Sequence, residues 1–231
     1  MFEAKLTEGN IFKKIVEAIK DVVSDVNIDV GPSGMSLQAM DGSHVALVSL
    51  FLSADGFEHY RADCNMVLGI NVNILAKVMK LAEPADSITL QADDKPQSLR
   101  LNFANPKTER TTEFTMNLIS LDVEHLAIPE TEYCSVVAIN ANEFTKLCKE
   151  LYSINETMTV STHPEFVTFS VESEAGSGSI RLGINFSEIE EEQILLAVKE
   201  PVCQQFSIRY LNMFNRAAPL SNMTRLCLHA E

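Results

Sequence analysis

The chain has 231 residues, 46% of them hydrophobic, and a formal charge of -14 from 18 basic and 32 acidic residues. That length and hydrophobic content exclude a disordered chain and allow one large core or two of ordinary domain size. The charge makes most of the surface repel phosphate, so a nucleic-acid role requires the basic residues to be gathered in one place.

Phe2, Ala4 and Leu6 alternate with polar residues and predict a strand. Ile11, Ile15, Ala18, Ile19 and Val22 then recur at helical spacing and predict a first helix. Short strands follow near 27–30, 35–39 and 45–52, punctuated by Gly31-Pro32, Asp41-Gly42 and Asp55-Gly56 turns. A second helix is expected over 72–82, and strands over 87–92, 98–103 and 113–118. These elements form a first domain over 1–118, with a linker over 119–133 and a second domain over 134–231.

The second domain repeats the first. Phe144 falls on Ile11, Lys146 on Lys13, Cys148 on Ile15 and Leu151 on Ala18, which predicts a third helix. Near the end, Ile208 falls on Ile70, Met213 on Leu75 and Leu228 on Leu90, which predicts a fourth helix and its following strand. The fold class is therefore α+β, as two similar domains of two helices packed on antiparallel sheets. The first domain runs on past Ala92 through two more strands, while the second has only Glu231 after the matching Ala230. An open sheet edge and reduced stability are expected there.

On each helix the basic residues oppose the apolar stripe. They are Lys13 and Lys20 on the first, Lys77 and Lys80 on the second, Lys146 and Lys149 on the third, and Arg209 and Arg216 on the fourth. Glu17 is the one acid assigned to these faces. Such clustering in an acidic chain predicts a selected basic surface for phosphate contact, independent of base sequence and sensitive to salt.

Chemistry points elsewhere than catalysis. Asp41, Ser43 and His44 supply triad residue types, but side chains so close in sequence rarely meet triad geometry, and no G-x-S-x-G elbow accompanies them. The histidines lack metal-ligand spacing, and there is no P-loop. No catalytic residue, metal or cofactor is assigned. The five cysteines lack a C-x-x-C pair and read as reduced thiols of an intracellular protein. No basic-plus-apolar leader and no membrane-length apolar run are present, so no membrane partner is expected.

Long segments of the chain resemble the proliferating cell nuclear antigen family of eukaryotic sliding clamps. They are MFEAKL at the start, LQAMDGSHVALVSL (37–50), GFEHYRADCNMVLGINV (56–72), LDVEHLAIPETEY (121–133) and RYLNMFNRAAPLS (209–221). The resemblance implies a nuclear, non-enzymatic clamp, a ring-shaped homotrimer whose helices line a channel around duplex DNA. The eight bases would then face DNA, within a wider DNA-binding segment from Arg61 to Lys80. It also implies DNA polymerase, a clamp loader and other proteins carrying clamp-binding peptides as partners. Their peptides would enter a pocket walled by Met40, His44, Val45 and Leu47 on one side and Leu126, Ile128 and Pro129 on another. Ring closure would pair 107–118 with 175–183 of a neighbouring copy, Phe114 and Met116 packing on Leu151 and Ile154 beside Ile180 and Leu182. Pro164 stands where many members carry a ubiquitin-accepting lysine. The alternatives are a checkpoint-type clamp subunit in a heterotrimer, or a hydrolase using exposed carboxylates.

Overall fold

Strand β1 (Phe2–Leu6) buries Phe2 and Ala4 and turns its polar residues outward, as a period of two requires. It is followed by α1 (Gly9–Ile19), β2 (Asp25–Gly31), β3 (Gly34–Met40), β4 (Leu47–Ser53), β5 (His59–Ala62) and β6 (Met66–Asn71). Next come α2 (Val72–Val78), which a 3-10 turn extends to Leu81, then β7 (Ser87–Ala92), β8 (Ser98–Asn105) and β9 (Arg110–Asn117). The strands form two antiparallel sheets, ordered β5-β1-β7-β8-β9 and β4-β3-β2-β6. β5 and β6 lie outside the predicted elements. In β6 the consecutive Leu68, Gly69 and Ile70 are all buried, so alternation gives no signal there.

Helix α1 starts where it does because of Gly9. Its N–H donates to the Asp86 carbonyl at 3.0 Å, and a Cβ would lie 2.4 Å from Ile88 Cγ1. With Gly9 against β7, a turn of 100° per residue brings Phe12, Ile15 and Val16 to the core. Ile11, expected in the buried stripe, is instead 50% exposed. In α2 the Asn71 side chain caps the helix by accepting from the Ile74 N–H at 3.0 Å. Val72, Leu75, Ala76 and Val78 face inward.

The computed structural model describes residues 1–122, 128, 131–187 and 192–229. It divides into two compact units, Met1–Ala127 and Ile128–Glu231. The second contains β10 (Ser135–Asn140), α3 (Ala141–Tyr152), β11 (Thr157–His163), β12 (Phe166–Ser173) and β13 (Gly176–Gly183). It continues with β14 (Leu195–Val198), β15 (Cys203–Ser207), α4 (Ile208–Phe214) and β16 (Met223–Leu228). Its sheets are ordered β13-β12-β11-β15 and β14-β10-β16, and Val137, Ile139, Phe144, Leu147 and Phe169 lie in its core. Among the described residues β16 pairs only with β10, whereas β7 in the first unit is paired on both sides.

The duplication is real, but its register differs from the predicted one. The Ala141 N–H donates to the Asn222 carbonyl as Gly9 does to Asp86, so Ala141 matches Gly9, and Phe144 matches Phe12 rather than Ile11. Phe2 pairs with Ala92 and Ser135 with Leu228, so Leu228 matches Ala92, and Ile208 matches Val72 rather than Ile70. Apolar residues three and four apart overlay themselves tolerably after a slip of one or two positions. Backbone pairing admits no such slip.

Candidate nucleic-acid interface

All eight predicted bases lie on or immediately beyond the four helices, and α1 with α2 and α3 with α4 pack as pairs. Lys77, Lys80, Lys146, Lys149, Arg209 and Arg216 are exposed. Lys77, Lys80, Lys149 and Arg209 have no carboxylate at ion-pair distance among the described residues. Lys13 and Lys20 are only partly exposed: Lys13 Nζ donates to the Ala82 carbonyl at 3.3 Å, and Lys20 pairs with Glu17 at 2.5 Å. Lys146 has an acid neighbour that sequence reasoning passed over, Glu150 at 3.8 Å one turn on. At the wider segment's start, Arg61 lies on β5 and is held by both carboxylate oxygens of Asp63, at 2.8 and 3.0 Å. That pairing raises the Arg61 pKa and leaves Lys77 and Lys80 as the segment's helical cations.

The corrected register changes which bases repeat. Lys14, not Lys13, matches Lys146, and Arg216 matches Lys80. Lys149 stands at the position of Glu17, and Arg209 at that of Asn73. Lys14 was missed because pairing Ile11 with Phe144 moves the overlay by one residue.

The predicted pocket wall is built by one carboxylate. Asp41, 7% exposed, accepts from the Ser43 N–H at 3.0 Å and from the Val45 and Ala46 N–H groups at 2.7 Å each. His44 completes the loop in the left-handed region at φ 57, which histidine tolerates better than branched residues. With its oxygens on the backbone, Asp41 is a structural acid and not a triad member. Met40, His44 and Leu47 line a hollow of about 440 Å³ with Asp25 and Asp122. Val45, 68% exposed, is outside its lining. Ile128 is exposed, and Leu126 and Pro129 lie outside the described residues.

The two strands named for ring closure, β9 and β13, are both sheet edges. Two of the predicted contact residues are not available to such a joint. Met116 is 4% exposed, opposite Leu99 in its own sheet, and Leu151, on the inward face of α3, is 3% exposed in the second unit's core. Each is the inward member of an amphipathic pattern. Phe114, Ile180 and Leu182 are half-buried, and Ile154 stays 48% exposed beside Gly178.

Two units, each with a helix pair against antiparallel sheets and with bases on the helices of an acidic protein, define a DNA-clamp architecture. The family description "Proliferating cell nuclear antigen, N-terminal domain" matches residues 1–125, and "Proliferating cell nuclear antigen, C-terminal domain" matches 127–231. The chain is 43% identical over 232 residues to the proliferating cell nuclear antigen of Chaetomium thermophilum, covering 100% of this chain and 90% of that protein. It belongs to the proliferating cell nuclear antigen family and is a DNA sliding clamp, as the resemblance implied. The family is one of non-enzymatic clamps.

Proposed function

We propose that three copies of the chain close a ring around duplex DNA in the nucleus, where the ring keeps a polymerase on its template and serves as a docking platform. The observation that carries this reading is the collection of exposed bases on the helices of a protein with a net charge of -14. Phosphate repelled elsewhere is tolerated there, without readout of base sequence. Lys20, Lys77, Lys80, Lys149, Arg209 and Arg216 carry the contact, with Lys13, Lys14 and Lys146 beside them. The open edges of β9 and β13 support closure of the ring, with Phe114 and Ile154 as the apolar residues left for that joint. The 119–133 segment links the domains, and client peptides seat their apolar anchors in the Met40, His44 and Leu47 hollow.

Primer extension on a long template tests the reading. Reversing charge at Lys20, Lys77, Lys80 and Lys149 together shortens the products at low salt and makes their length less dependent on salt, because fewer counterions are released. Unchanged product length would reject the DNA-facing assignment.

A further inference from the structure

The second unit's sheet β14-β10-β16 turns an outer face to solvent that differs from its counterpart in the first unit. Ser135 pairs with Val198 and Leu228 as Phe2 pairs with Ala62 and Ala92, which matches the two sheets residue by residue. Val137 and Ile139 are fully buried in the core, so Val136 and Ala138 point outward. Ala197 and Cys227 flank Val136 in one row, and Leu195 and Arg225 flank Ala138 in the next.

The first unit carries Arg61, Glu3 and Gln91 in the first of these rows and His59, Lys5 and Thr89 in the second. Its polar groups satisfy one another: Gln91 Nε2 donates to Glu3 Oε2 at 2.7 Å, and Lys5 Nζ donates to Glu58 Oε1 at 3.0 Å. In the second unit five of the six positions are apolar, and the sixth, Arg225, stands where the first unit has threonine. Leu195 is 39% exposed, and Ala197, Cys227 and Arg225 are exposed too. Arg225 has no carboxylate at ion-pair distance among the described residues. Apolar side chains contiguous across three strands mark a contact surface, unlike singly scattered ones.

The dimensions and the lone charge select what covers it. Three strands ~4.8 Å apart span about 10 Å, the width of one helix with its side chains. Rows two residues apart lie about 7 Å from each other, close to the ~6 Å between helix residues four apart. A second copy presenting the same face would bring another arginine and no carboxylate.

We infer that this face docks an amphipathic helix of a partner protein, its apolar stripe lying on Leu195, Ala138 and Val136 and a carboxylate beside the stripe meeting Arg225.

Fluorescence anisotropy on the full chain tests this. The probe is a labelled, stapled helical peptide of about 14 residues, short enough to need the staple, with leucines four apart and a glutamate beside them. A second probe has lysine in place of that glutamate. The glutamate probe is expected to bind about fivefold more tightly than the lysine probe, and Arg225→Thr removes the difference. Leu195→His and Ala138→Lys install residues with which the first unit folds at the matched positions, and circular dichroism checks that each variant is native. Each weakens the glutamate probe at least about fivefold, as the loss of a half-buried leucine contact allows. Leu47→Ala leaves its affinity unchanged, which separates this face from the Met40 and Leu47 hollow. Failure of both probes to bind, equal or tighter binding of the lysine probe, or binding that survives Leu195→His and Ala138→Lys overturns the inference. A solution mass that rises above that of the ring and falls back in Leu195→His puts a second copy on this face and overturns it as well.

Discussion

Cys148 is a residue whose surroundings make its chemistry depend on pH. It is fully buried on the inward face of α3, at the position that Val16 takes in the first unit. Burial pushes its thiol up from 9.0 to about 11. Because the folded value is the higher one, its contribution is fully present below 9.0 and is lost as pH rises towards about 11. Urea midpoints measured at about pH 8 and about pH 10.5 should therefore fall further in the native chain than in Cys148→Val, which has no thiol to titrate. An identical fall in the two would reject the assignment. The buried position was legible in the helical spacing of Phe144, Leu147, Cys148 and Leu151. The role of Asp41 was not, because an Asp-Gly pair reads as a plain turn until its oxygens are seen on three backbone amides.

The four helices begin in different ways, and the difference is testable element by element. Asn140 caps α3 by accepting from the Asn142 and Glu143 N–H groups at 2.9 and 3.1 Å. Glu8 makes no side-chain cap to α1, whose start is set by the fit of Gly9 against Ile88. Asn140→Ala is expected to cost about 1 kcal/mol in denaturant unfolding, and Glu8→Ala no more than a few tenths. Equal losses would show that the caps do not control where these helices start. Strands β1 to β4 and β7 to β9 were legible from alternation and turn residues. β6 was not, because Leu68, Gly69 and Ile70 are buried in succession, Leu68 and Ile70 in the core and Gly69 beneath the linker's Ile119.

At the scale of the whole molecule, the proposed ring depends on residues that the fold leaves outside its cores. Phe114 and Met116, two residues apart, share one face of β9, yet Met116 is buried and Phe114 only half-buried. For the proposed trimer, Phe114→Asp should therefore shift the solution mass from three times 25.6 kDa to the single-chain value with little change in unfolding of the first unit. Met116→Ala should do the reverse, losing about 2–5 kcal/mol of stability as a core truncation does while the assembly persists. A trimeric Phe114→Asp chain would remove β9 from the joint.

The sequence by itself determined the duplicated α+β unit, the four helices found among the described residues and the family. These properties rest on local periodicity and on long matching segments, which need no knowledge of distant neighbours. Only the tertiary structure decided that Phe12 and not Ile11 enters the core, that Lys14 is the partner of Lys146 in the repeat, and that Met116 and Leu151 are spent inside their own units. It also brought Leu195, Ala138 and Arg225 into one row across three strands far apart in the chain. The reason is that periodicity tells which way a side chain faces, whereas pairing between distant strands determines what it faces.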